Sequence, residues 1–411
     1  MRIHFSYIYI EYFKNTFSLR EFTNKKESRM KLSYLAKNQI FIVLTILFMT
    51  TYGLSQRSVQ NPAGFEIKKG VNLSHWLSQN FGWSPKATFI TEKDIRFIDS
   101  IGYDHVRIPI DEQEMWDKSG KPIEESFNYL TQCLDWSAKY KLRTIVDLHI
   151  IRSHYFNAAN EGGTNTLWTD TNAQNTFLKL WIEISHRLKK YPVNMVAYEL
   201  LNEPVAQNPG DWNKLIERAV KTLRGLEPDR VFIIGSNMWQ TPGTFPDLKV
   251  PPKDKNIILS THTYSPLFFT HHLANWVPFK DYTGPVHYPG QVVSDADYEK
   301  YTGKPDSPFA KVMESSKGIF NKQKLVEELM PAIKKAKELN LLLYCGEFGC
   351  LPHVDRAERL QYYKDIVAIF RENGMAYCNW EYKGDFGIYE FDFKKLISLA
   401  PDVDLINILT K

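Results

Sequence analysis

Eight short apolar runs, separated by segments of helical periodicity, constrain this chain more than any other feature. They are Ile67–Leu73, His105–Ile110, Thr144–Leu148, Met195–Leu201, Val231–Ile234, Ile257–Ser260, Leu341–Tyr344 and Met375–Asn379. Their length and general lack of polar alternation suit parallel strands covered on both faces. Between them, Phe177, Leu180, Trp181, Ile184 and Leu188 share one helical face, as do Trp212, Leu215, Ile216, Ala219 and Leu223. Tyr363, Ile366, Val367 and Phe370 repeat the pattern ahead of Asn373-Gly374, a helix stop. Pro331 is expected to kink or divide the helical stretch 321–339. Eight strands alternating with helices predict an α/β fold, a single (β/α)8 TIM barrel. A doubly wound open sheet would carry a Gly-rich phosphate loop after its first strand, and none is there.

In such a barrel all strand ends meet on one face, which is where catalytic groups sit. Polar residues recur at those ends: Arg107, His149, Asn202 with Glu203, His262 with Tyr264, Glu347 and Trp380. Two of them, Glu203 and Glu347, are carboxyl groups closing apolar runs, the arrangement a glycosidic bond needs if it is cut between an acid and an ionised carboxylate. The connection after the sixth strand is about sixty residues long, a length that marks function or disorder. It carries Phe268, Phe269, Trp276, Phe279, Tyr282, Tyr288, Tyr298 and Tyr301, too aromatic for disorder. It is expected to form a cleft wall, with packing against the barrel rim as the other outcome.

The order Arg107, Asp147-Leu-His149, Glu199-Leu-Leu-Asn202-Glu203-Pro204, His262-Thr-Tyr264, Gly346-Glu347-Phe348-Gly349 and Trp380 resembles glycoside hydrolase family 5, the cellulase family of retaining hydrolases. The resemblance runs from Gly70-Val-Asn-Leu to Trp380. It implies Glu203 as general acid/base and Glu347 as nucleophile, with no cofactor. Arg107 and Tyr264 would bond the nucleophile, Asn202 would take the sugar 2-hydroxyl, and His149 and His262 would orient hydroxyls or carboxylates. Trp380 would be the sugar platform, with Trp76, Trp83, Trp168 and Trp239 as candidates for further subsites. The substrate implied is a β-linked glucan. Asn379-Trp-Glu-Tyr-Lys-Gly-Asp-Phe-Gly is similar to glucan-active members, exo-acting ones included. Mannanase, glycolipid hydrolase, transglycosylase and a non-catalytic carbohydrate-binding barrel are the alternatives; loss of a carboxylate would have favoured the last.

The rest of the chain sets the setting. Residues 1–55 hold eight Lys/Arg and three Asp/Glu, so the formal +4 belongs to the N-terminus and nothing argues for nucleic acid. Residues 1–29 read as upstream leader. Met30 then opens a short basic region followed by the apolar stretch Ile40–Met49 and small residues Gly53 and Ser55. This is a secretory signal peptide over 30–55, too short in its apolar part for a stable membrane anchor. A secreted or periplasmic catalytic domain over 56–411, acting as a monomer, is expected. The four cysteines are expected free and buried, with Cys350 the most accessible. His271-His272 with His287 lacks metal-ligand spacing, and no catalytic metal is expected.

Overall fold

The structure, a computed structural model, describes residues 61–411 apart from 81, 83, 159–162, 303–313, 315, 393, 394 and 396, and apart from the side chains of 301, 302 and 391. The leader, the signal peptide and Trp83 lie outside the described residues. Eight parallel strands close into a barrel: β1 Lys69–Asn72, β2 His105–Asp111, β3 Arg143–Ile150, β4 Val196–Glu199, β5 Phe232–Gly235, β6 Ile257–His262, β7 Leu342–Glu347 and β8 Ala376–Asn379. Each pairs with its sequence neighbours, and β8 returns to β1 through Lys69 opposite Tyr377.

The helices lie outside: α1 Glu92–Ser100, α2 Glu124–Lys139, α3 Thr171–Leu188, α4 Pro209–Arg224, α5 Lys322–Leu339, α6 Arg356–Glu372 and α7 Val403–Thr410. Local sequence explains their starts. Thr91 and Asp94 form a reciprocal capping box on α1, and Asp170, Asn208 and Asn321 accept from backbone amides at the heads of α3, α4 and α5. The apolar faces expected on α3, α4 and α6 are the buried ones. Of the two outcomes expected at Pro331, division does not occur: α5 is one helix through it, because a buried face of Leu325, Leu329, Ala332, Ile333 and Ala336 holds both halves. Between β5 and β6 there is no long helix, only a tight irregular turn over Asn237–Gln240 and a 3-10 helix, Pro242–Asp247.

The barrel interior has two layers. Phe65, Ile67, Ile145, Ala197, Val231, Ile233, Ile258, Tyr344, Ala376 and Cys378 make an apolar plug. Two residues further along the strands, where the side-chain period of two returns to the interior, stand Asp147 and Glu199. A buried polar layer is thus stacked on an apolar one. The apolar layer excludes water from below, so each polar group above it must find partners in the protein.

The long connection after β6 is mostly packed inward. Phe268 stacks on Phe279 at 4.1 Å, and Tyr288 packs on Phe269 and Tyr362. Phe268, Phe269, Phe279, Tyr282 and Tyr288 are buried, so they fasten the loop to the rim instead of lining a cleft. Trp276 is the exposed one among the aromatics described there, at 42%. All four cysteines are free and buried. Cys350 is fully buried, contrary to expectation, because its amide donates to the Tyr363 hydroxyl under α6; burial pushes its thiol up to about 12. No helix among the described residues is long and apolar enough to cross a membrane.

Candidate active site

Arg107, near the middle of β2, is fully buried and joins five side chains at the C-terminal end of the barrel. Its Nε donates to Glu199 (2.6 Å), Nη1 to Glu347 (2.8 Å) and to Asn72 (2.9 Å), and Nη2 to Asn202 (2.8 Å) and Asp147 (2.9 Å). Beyond the contact to Glu347 that the resemblance implied, Arg107 also forms interior ion pairs with Asp147 and Glu199. One guanidinium cannot balance three buried carboxylates. Burial accordingly pushes Asp147 up to about 7 and raises Glu199, with Arg107 opposing both.

Glu347 is the last residue of β7. A register irregularity between Thr261 and His262 sets His262 opposite it, as irregular pairing beside an active site commonly re-aims a side chain. Gly346 must be glycine: a Cβ there would stand 2.9 Å from His262 Nε2 and Ser260 Oγ. Besides Arg107, Glu347 accepts from the Tyr264 hydroxyl at 3.0 Å.

Glu203 lies past the end of β4, not at it. The ladder persists through Leu200 to Ile233 and Asn202 to Leu148, and the chain then turns at Glu203 with φ 44°. Its amide donates to Gln240 Oε1 at 2.9 Å, and its carboxyl meets His262 Nδ1 at 2.9 Å. Burial, joined by the Glu347 charge, raises Glu203 well above the usual carboxyl range. Glu347 is also raised by burial, but the guanidinium draws it back. Of two carboxyls competing for one proton, Glu347 has the cation and the phenol. Glu203 therefore keeps the proton. Burial holds His262 neutral, so it bonds Glu203 without supplying a cation.

Ligand atoms of Glu203, His262 and Glu347 all lie within 4.8 Å of one another. Asn202 accepts from Arg107, which turns its amide nitrogen away; that buried Nδ2 has no partner and is a donor available to a ligand. His149 is held by Asp147 at 2.7 Å, and burial pushes it down to about 3. Its ring lies parallel to Trp380, centroids 5.6 Å apart at 11°. Arg107, His149, Asn202, Glu203, His262, Tyr264, Glu347 and Trp380 thus fall in one cluster.

The tryptophans divide. Trp76 is buried with its indole N–H on the Lys86 carbonyl, which removes it as a subsite. Trp168 is half-buried, edge-on to His154 and Trp212. Trp239 is 41% exposed and held by an indole bond to the Phe156 carbonyl at 3.0 Å. Of the three histidines weighed as metal ligands, His271 packs edge-on to Tyr264, His272 lies edge-on to Tyr282, and His287 pairs with Glu358.

Sequence reasoning missed Gln240, whose amide joins the Glu203 backbone to Glu199 Oε1 at 3.2 Å. It lies in a run of three left-handed residues, Met238, Trp239 and Gln240, with φ of 50°, 58° and 54°. Such a run costs energy at non-glycine positions and persists only when tertiary contacts fix it. Gly235 makes room, since a Cβ there would be 2.2 Å from the Gln240 side chain. No periodicity or motif signals this role.

The sequence model of Cellulase (glycosyl hydrolase family 5) matches residues 61–385. Endoglucanase C of Acetivibrio thermocellus is 34% identical over 351 residues, covering 84% of this chain and 98% of that protein. Cellodextrinase A of Ruminococcus flavefaciens is 30% identical over 314 residues, 75% of this chain and 84% of its own. Among solved structures, the endoglucanase Cel5A of Thermotoga maritima superposes with a TM-score of 0.63 over 84% of this chain and 98% of its own, at 24% identity, a likeness of fold.

Proposed function

The chain belongs to glycosyl hydrolase family 5, the cellulase family, and is a glycoside hydrolase; on that premise we propose that it cleaves a β-linked glucan with retention of anomeric configuration. The observation that carries this reading is the separation of Glu203 and Glu347, whose oxygens approach within 4.8 Å. Retaining enzymes hold their carboxyls about 5–5.5 Å apart, whereas inverting ones leave about 6.5–9.5 Å for a water.

In the first step Glu347 attacks the anomeric carbon and the bond to the leaving oxygen breaks. Glu203 passes its proton to that oxygen. The ester neutralises Glu347, which removes one cause of the raised Glu203 pKa, so Glu203 becomes a base. It then takes a proton from water as the water attacks the anomeric carbon and Glu347 leaves as a carboxylate. The unpaired Asn202 amide is suited to the sugar 2-hydroxyl, a bond that strengthens as positive charge develops on the ring. Trp380 supplies an apolar face for sugar C–H groups.

A glucan substrate is supported by relatives named endoglucanase and cellodextrinase. Export through the 30–55 signal peptide belongs to the same reading, and N-terminal sequencing of protein recovered outside the cytoplasm should begin near Gln56. Glu203→Ala and Glu347→Ala should each lose turnover of soluble β-glucan while keeping the wild-type melting profile. On an aryl β-glycoside whose leaving group needs no proton, azide should give a glycosyl azide of the substrate's configuration from Glu203→Ala and of inverted configuration from Glu347→Ala. Proton NMR of the wild-type reaction showing first product of inverted configuration would overturn the proposal.

A further inference from the structure

Next to the catalytic pair, but using none of its residues, the loops after β1 and β8 enclose a second polar cluster. Atoms of His75, Glu381 and Asp385 lie within 4.8 Å of one another. Its members differ in what they have left to offer. Glu381 is fully buried and committed: Oε2 accepts from Ser74 and pairs with His75 Nε2 at 3.1 Å, while Oε1 takes the Phe386 amide at 3.4 Å. Gly384 closes over this carboxylate at φ 148°, and a Cβ there would stand 2.1 Å from Glu381 Oε1. His75 is committed as well. Its Nδ1 bonds the Gln79 carbonyl at 3.1 Å, and Gln79 is itself fixed by its amide to Asp111 at 2.8 Å. Asp385 also hydrogen-bonds Glu381, yet of the three it alone is half-buried and keeps access to solvent.

The position of Asp385 is set on both sides by groups of the active centre. Five residues before it, Trp380 stacks on His149 and meets the His75 ring edge-on at 6.4 Å. One residue after it, Phe386 packs against Tyr264 at 5.8 Å, the tyrosine bonded to Glu347. We propose that Asp385 binds hydroxyls of the sugar seated on Trp380, and that His75 and Glu381 are positioning residues that hold it there. This rests on the glucan-hydrolase reading above and adds to it a residue that selects the sugar.

The chemistry of the trio favours a neutral polyol. Burial is outweighed at His75 by the two carboxylates, which hold it at about 9, so the imidazole keeps both protons and has no lone pair for a metal ion. Burial and the Glu381 charge push Asp385 up to about 7; its hydrogen bond to Glu381 engages one side of the carboxyl, and the side open to solvent is left for a hydroxyl.

The test uses the full chain and its Asp385→Ala and Asp385→Asn variants, with cello-oligosaccharides of defined length and Glu203→Gln alongside. A hydrogen bond to a charged group contributes roughly 1.5–3 kcal/mol, about 10–100-fold. Asp385→Ala should lower kcat/KM by that factor mainly through KM, shift the bond cleaved within the oligosaccharide, and melt where the wild type does. Asp385→Asn, which keeps a donor and an acceptor, should recover part of the loss. Unchanged KM and cleavage pattern in Asp385→Ala, with Glu203→Gln still inactive, would overturn this inference and leave the catalytic reading standing. A KM that rises on EDTA treatment and is restored by Zn2+ would overturn it by making the trio a metal site. Failure of the wild type to turn over any β-glucan would end both.

Discussion

Neutralising Glu347 should release the proton that Glu203 holds. Burial is the larger reason that Glu203 stays protonated, and the Glu347 charge is the next. Two unit charges within 4.8 Å of one another interact by at least about 3.5 kcal/mol at an effective dielectric of 20, which corresponds to about 2.5 on the pH scale. In Glu347→Gln that contribution disappears while burial remains, so Glu203 should titrate lower by about that much yet still above an exposed glutamate. The assay is a 13C NMR titration of glutamate carboxyls in the two proteins, with Glu203→Gln identifying the resonance. Because the pair is buried, the difference should change little between low and high salt. If Glu203 titrates at the same pH in both proteins, burial alone raises it, and the switch from acid to base on forming the glycosyl-enzyme loses its physical cause.

Three further results are expected. Tyr264→Phe removes a donor from the ionised nucleophile, which raises the Glu347 pKa; kcat/KM should fall about 10–100-fold and the acid limb of its pH profile should move to higher pH. Arg107→Met leaves three carboxyls without their cation, and urea denaturation should show a loss of about 3–5 kcal/mol, smaller at low pH where the carboxyls are protonated. Gly346→Ala places a methyl against His262 and Ser260; the overpacking should cost about 1–3 kcal/mol in the same assay and reduce kcat more than KM, since the displaced groups flank the reacting carboxyls rather than the sugar platform.

The barrel was legible because its signal is repeated: eight apolar runs and the faces of α3, α4 and α6 obey the simple periods of strand and helix. Strand ends were less so. Glu199 reads as part of an apolar run followed by Leu200 and Leu201, yet β4 stops there and Glu203 stands four residues on, itself in the left-handed conformation. The residues around the carboxyls were readable because they fall at strand ends in a recognisable order. Gln240, His75 and Asp385 were not, because their roles come from loops that meet only after the barrel closes. The aromatic connection left cleft wall and rim packing both open for a related reason: Phe268 and Phe279 look the same in sequence whether they face a sugar or each other.

Gln240 also connects Glu203 to Glu347 through groups carried on the barrel strands. From the Glu203 amide a continuous path of polar contacts passes through Gln240, Glu199 and Arg107 to Glu347. Arg107, Glu199 and Glu347 all stand on barrel strands. The distance between acid and nucleophile is consequently gauged by strand geometry, while the loops that carry Trp239, Trp276 and Asp385 lie outside the gauge. Those loops can be lengthened, shortened or exchanged to suit another glycan, and the reaction performed on it should keep the same stereochemistry.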